Sequence, residues 1–213
     1  MEELDLLKRA WRKDDHSFSQ LSETEIYKML HQQSSSIVKW ILIISLIEFI
    51  FWNIITFAFS DDKYQAKLQA YGVDKVMFAI NAVNYVIIIA FIFIFYKNYR
   101  AISTTDSTRL LMKNILKTRN TVQNYIWYNL GIVTISIVLS IVMLIYHNPQ
   151  MISMLHQADV NGNRVFFLSA CTVISISFVL LIIGLFWLFY RVLYGILLKK
   201  LHVNYKELKK IEL

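Results

Sequence analysis

Four long apolar runs, roughly residues 37–59, 76–96, 125–146 and 165–190, set the terms for any fold this chain can adopt. A hydrocarbon core about 30 Å thick takes about 20 apolar residues in a helix, and each run is long enough. A soluble four-helix bundle would need a polar face on every helix, whereas "VIIIAFIFIFY" (Val86–Tyr96) has none. The chain has one proline and is 56% hydrophobic over 213 residues, too apolar for a soluble domain of this size. The expected fold is therefore all-α: a polytopic membrane protein with four transmembrane helices extended into a cytoplasmic helical layer.

Orientation follows from the positive charges. Lys8, Arg9, Arg12, Lys13, Lys28 and Lys39 precede the first span or sit at its start, six more lie between the second and third spans, and six follow the fourth. The two remaining connections hold only Lys63, Lys67, Lys75 and Arg164, so the balance is eighteen against four. By the positive-inside rule both termini and the middle loop are cytoplasmic. Trp40, Tyr96, Tyr99, Trp127, Tyr128, Trp187 and Tyr190 are expected to form the inner aromatic belt. Topology and anionic lipid headgroups account for the net charge of +7 without a nucleic acid. About 36 mostly polar residues precede the first span, unlike a signal peptide with its short basic start and early apolar core. Cys171, the single cysteine, lies inside the fourth span and can form no intrachain disulfide; apolar burial makes it a packing residue rather than a reactive thiol.

The expected organisation is an N-terminal cytoplasmic segment (1–36), a four-helix transmembrane domain (37–190) with a cytoplasmic middle loop (97–124), and a C-terminal cytoplasmic helix (191–213). Residues 2–13 place Leu4, Leu7 and Trp11 on one helical face, with acids in the first turn and bases in the last. Ser22 and Glu25 form a capping box, after which Ile26, Leu30, Gln33 and Ile37 run into the first span. Such a helix, continued to Phe59, protrudes roughly 20 Å beyond the bilayer core. The helix entering the third span is expected to start at Thr105 or Asp106, with Leu111, Ile115 and Val122 on a stripe. The C-terminal segment repeats Leu193, Leu197, Leu201, Tyr205 and Leu208 at helical spacing. Three amphipathic extensions on one side should pack together. The outer connections are short: "SDDKYQAKLQAYGVD" has room for a helical turn or two ending at Gly72, and "HNPQMISMLHQADVNGNRV" has a turn at Asn161-Gly162.

Glu48 is the one acid or base well inside a span, and an intramembrane ionisable group is a functional-site candidate by default. Its depth matches Asn84 on the second span, while Asn81 lies level with Asn53. The third span offers Thr134, Ser136 and Ser140, and the fourth Ser169, Thr172 and Ser175. Two readings stand. The carboxylate handles a proton or cation with polar groups of neighbouring helices, or a glutamic acid hydrogen-bonded to Asn84 or a hydroxyl holds the helices together. The serine and threonine rows read as seams of close packing. His16, His31, His147, His156 and His202 fall at edges or in loops without ligand spacing. With no nucleophile, phosphate-binding or C-x-x-C motif, the sequence points to no catalytic residue, metal or cofactor.

"TEIYKMLHQQSSSIVKW", "ISTTDSTRLLMKNILKTRNTV" and the ending "YGILLKKLHVNYKELKKIEL" resemble a family of small membrane proteins of Bacteroidota, over nearly the whole chain. The resemblance implies the inner membrane of a Gram-negative bacterium and little chemistry. Members often carry the label beta-carotene monooxygenase, which this sequence does not support, since no histidine lies well inside a span. The function expected first is partner binding by the cytoplasmic helical face, in a regulatory, scaffolding or assembly role, with Leu4, Leu7, Trp11, Ile26 and Leu30 as the contact surface. Self-association is the related form. The rival is a small transporter or channel using Glu48, and a third reading is a membrane enzyme of carotenoid or lipid chemistry.

Overall fold

The computed structural model describes residues 22–58, 66, 69–70, 74–105 and 107–212, with side chains to residue 210. Leu4, Leu7, Trp11 and Asp106 lie outside the described residues, as does most of the connection between α1 and α2. Six helices follow in order: α1 Glu23–Ala58, α2 Asp74–Ser103, α3 Thr108–His147, α4 Pro149–Val160, α5 Arg164–Leu193 and α6 Gly195–Glu212. No strand occurs among the described residues. Four of them, α1, α2, α3 and α5, are long and apolar enough to cross a membrane.

The capping box forms as expected. The Ser22 backbone N–H donates to Glu25 Oε2 at 2.9 Å, and the Glu25 N–H donates to Ser22 Oγ at 3.3 Å. The bond from the Ser22 N–H holds the Glu25 carboxyl below its usual range. From this start α1 runs 36 residues, roughly 54 Å at ~1.5 Å per residue. Its buried face is Ser34, Val38, Ile41, Ser45 and Glu48, alternating steps of four and three as one helical face requires, with Ile37 buried beside Val38. Ser34 takes the inward place that Gln33 was expected to hold; Gln33 is exposed.

At the bundle end that carries the start of α1 and all of α6, here the terminal end, α2 stops where its side chains compete with its own ladder. Ser103 and Thr104 hydroxyls donate to the Arg100 carbonyl, and Thr105 to that of Ala101. The carbonyls left over at a helix end need donors, and neighbouring helices supply them. Tyr27 of α1 donates to the Thr105 carbonyl at 3.1 Å and His31 Nε2 to that of Ile102 at 2.7 Å. Asn114 of α3 donates to the Ala101 carbonyl at 3.3 Å and to Thr105 Oγ1 at 3.2 Å. Thr105 is therefore a buried junction of three helices rather than the cap of α3. Ser107 holds the cap position, without a side-chain capping bond.

The extensions do pack on one another. Leu111, Ile115 and Val122 of α3 and Leu201 and Leu208 of α6 are almost fully buried, against Ile37, Val38 and Ile41 of α1. Asn204 donates to Ser34 Oγ at 3.1 Å, and Arg119 to His202 Nδ1 at 3.2 Å, tying α6 to α1 and α3. Burial is thus concentrated at the terminal end. At the far end Ile54, Phe57, Val173 and Ile174 are exposed, as befits surfaces that lipid covers.

The connection between α3 and α5 holds more structure than its composition suggested. Asn148 caps α4 by accepting from the Gln150 N–H at 2.9 Å, and Pro149 takes the first helical turn, where no N–H is needed. The expected turn follows, with Gly162 at φ +72°, a conformation that costs glycine nothing.

Candidate functional site

Glu48 does not meet Asn84 or the hydroxyl rows. Tyr125 of α3 and Tyr194, the residue joining α5 to α6, donate to its Oε2 at 3.1 and 2.9 Å. Tyr190 of α5 donates to Oε1 at 2.6 Å, inside the range of a charge-assisted O–H···O⁻ bond. Trp52 lies one turn along α1 and lines the same cavity. A carboxylate offers about four lone-pair sites and no donor, so three hydroxyls can share it without conflict. The three tyrosines and Glu48 are each at most 5% exposed. Their rings pack edge to face or stacked at 6.0–6.4 Å, and Phe91 and Phe95 of α2 close on Tyr125 at 5.4 Å. One carboxyl thereby joins α1, α3 and the α5–α6 junction.

The reason lies in helical spacing. The stripe Leu111, Ile115, Thr118, Val122 that buries the start of α3 continues through Tyr125 to Asn129. Tyr190 and Tyr194 are four apart and share a face. Tyr190, expected in the aromatic belt, points inward instead, at 2% exposure.

Beyond this cluster, away from the terminal end, the helices part around a cavity of about 600 Å³. Glu48, Tyr125 and Tyr190 form its floor; α1 lines it to Thr56, α3 to Ile137 and α5 back to Phe178. That is a depth of roughly 18 Å along α3. Its size suits a small-molecule site, and its walls are mainly apolar, with a few convergent polar groups. Asn53, Asn81, Asn84 and Ser136, all singled out by sequence, line it. Two of these asparagines have tyrosine partners: Tyr85 donates to Asn53 Oδ1 at 3.0 Å and Tyr128 to Asn84 Oδ1 at 2.9 Å. Ser175 is not part of this lining. Thr134, Ser140, Ser169 and Thr172 bond back to carbonyls of their own helices and reach no partner helix through those bonds. On the terminal side of Glu48 the bundle is filled by Ser45, Ile41, Phe95 and Val122, all inaccessible.

Ile26 and Leu30 are half-buried, Leu30 against the chain's own core. Sequence reasoning missed Tyr125, Tyr194, Trp52, Tyr85 and Asn129 as site residues. The signal for Tyr125 was available, because the α3 stripe points straight to it.

No curated protein and no solved structure matches the chain. A family model described as "Domain of unknown function (DUF8845)" matches residues 24–213, all six helices and every residue of the cavity, and the chain belongs to that family.

Proposed function

We propose that this membrane protein is a receptor for a small amphipathic molecule, held in the cavity above Glu48, and that its terminal-end helical layer passes the bound state to a protein partner. The lysine and arginine distribution supports a cytoplasmic terminal end, with the cavity facing outward, and the family resemblance implies the inner membrane of a Gram-negative bacterium. The observation that carries the reading is the floor. The groups a ligand would touch, Glu48, Tyr125 and Tyr190, are also the groups that bolt α1 to α3 and α5. α1 and α3 run without a break into the packed terminal layer, and α5 meets α6 of that layer at Tyr194, so a ligand that shifts Glu48 shifts the layer. The proposed partner surface takes in Leu4, Leu7 and Trp11 together with the partly exposed Ile26 and Leu30.

Native mass spectrometry of the protein released from lipid nanodiscs tests the ligand half. A small molecule should be retained by the wild type and lost on Ser136→Trp, which fills the cavity. Crosslinking in cells at Met29, exposed on the same stretch of α1, should recover a partner, or a second copy of the chain, whose yield changes in that variant. Retention of nothing, with crosslinks unaffected by Ser136→Trp, contradicts the proposal.

The carrier reading draws on the same carboxylate but needs the filled half below Glu48 to open. Proteoliposome flux abolished by Glu48→Gln would favour it.

A further inference from the structure

The hydrogen-bond inventory of the floor says what kind of ligand it takes. Its tyrosine hydroxyls are spent within the protein, and two of its amides each give one hydrogen to a backbone carbonyl. Tyr125 and Tyr190 hydroxyls go to Glu48, Tyr85 to Asn53, Asn53 Nδ2 to the Phe49 carbonyl at 2.7 Å, and Asn129 Nδ2 to the Tyr125 carbonyl at 2.8 Å. What remains for a ligand is the Glu48 carboxylate and oxygen lone pairs at the floor, with amide hydrogens of Asn81 and Asn84 and the Ser136 hydroxyl on the walls. Among the described residues no lysine, arginine or histidine lines the cavity. The walls immediately above are aromatic, with Trp52 stacked on Phe186 at 5.6 Å and Phe49 edge-on to Tyr85 at 6.0 Å. Acceptors, negative charge and aromatic rings together favour a cation, above all a substituted ammonium.

A second feature adds a chain to that cation. A shallow groove of about 340 Å³ between α3 and α5 shares Ser136, Ile137 and Phe178 with the cavity and continues past Ile141 to Leu144. The Ser140 hydroxyl within it is tied to the Ser136 carbonyl at 2.8 Å, which leaves the groove surface essentially hydrocarbon. It extends roughly 12 Å along α3 toward the far end.

We infer that the ligand is a single-chain ammonium amphiphile, its cationic group on the Glu48–tyrosine floor and its alkyl chain along the α3–α5 groove. This rests on the receptor reading and names the ligand class for the same cavity.

The test is equilibrium binding to the full chain in zwitterionic nanodiscs, with empty discs subtracted, using dodecyltrimethylammonium, dodecanoate and dodecanol. The ammonium should bind about tenfold tighter or more than either of the others, the difference that a carboxylate and aromatic walls impose on equal chains. It should lose that preference in Glu48→Gln. The wild-type comparison decides the matter even if that variant fails to fold. Ser140→Trp, which blocks the groove, should weaken dodecyltrimethylammonium about tenfold and leave tetramethylammonium unchanged. If the three dodecyl compounds bind alike, the ammonium assignment is overturned and the receptor reading stands. If chain length makes no difference in the wild type, the groove has no part in binding. If none binds above empty discs, the receptor reading itself fails.

Discussion

Replacing Tyr190 by Phe removes a single oxygen from the centre of the bundle. The ring that packs beside Tyr125 and Tyr194 stays, so no cavity larger than a hydroxyl is left. The lost bond is the sole tyrosine donor to Glu48 Oε1, at 2.6 Å, whereas Oε2 has two, at 2.9 and 3.1 Å. Neutral side-chain bonds between membrane helices average about 0.6 kcal/mol, and bonds to charged groups contribute about 1.5–3 kcal/mol. The short distance places Tyr190 in the second class. Tyr190→Phe should therefore cost about 2 kcal/mol, close to 30-fold in the unfolding equilibrium. Tyr125→Phe and Tyr194→Phe should cost about 1 kcal/mol each, because the same oxygen keeps another donor. Tyr85→Phe, which breaks an ordinary bond to Asn53, is the internal control at about 0.6 kcal/mol. Steric-trap unfolding in bicelles measures all four on one scale. If Tyr190→Phe costs no more than Tyr85→Phe, or less than either Oε2 partner, Glu48 is not the node described here.

Leu201 is fully buried in the terminal layer and Leu188 is 57% exposed on the lipid-facing side of α5. Leu201→Ala should cost about 2–5 kcal/mol, and Leu188→Ala within about 0.5 kcal/mol in the same assay; equal losses would contradict packing of the extensions. The start of α1 should depend on pH. The folded pKa of Glu25 is depressed by the Ser22 bond, so its contribution is present above the unfolded value of about 4.3 and lost as pH falls through the lower folded value. Amide exchange at Glu25 and Ile26, corrected for intrinsic rates, should show protection at pH 6 that is gone at pH 3. Glu25→Gln should abolish that dependence, and identical protection in both proteins would refute it.

The membrane architecture was legible because bilayer thickness and helical rise convert apolar run length directly into spans. Capping chemistry is equally local, and Ser22 with Glu25 did what their spacing implies. The stripes Leu111–Ile115–Val122 and Leu201–Leu208 announced the terminal layer. What sequence could not supply was azimuth. Depth placed Asn84 near Glu48, but depth says nothing of the direction in which a side chain leaves its helix. Tyr190 met both expectations for an aromatic belt, its depth and its polar tip, and its inward turn depends on packing against α1. The hydroxyl rows misled for another reason: serine and threonine in an apolar helix find an acceptor in their own preceding turn, so they need no neighbour. The cavity was invisible because it is made by divergence of helices at the far end, a property of backbone placement. Helix α4 lies in a connection read only for its turn at Asn161-Gly162, although proline at a helix start is favourable.

The most direct test is the reach of water-soluble reagents into the cavity. On a Cys171→Ser background, Ser136→Cys and Asn81→Cys proteins in oriented membranes are exposed to a membrane-impermeant maleimide from each side in turn. The account predicts labelling of both from the side opposite the termini, none from the terminal side, and protection by dodecyltrimethylammonium. Labelling from the terminal side, or none from either while Gln150→Cys on exposed α4 reacts, would contradict it.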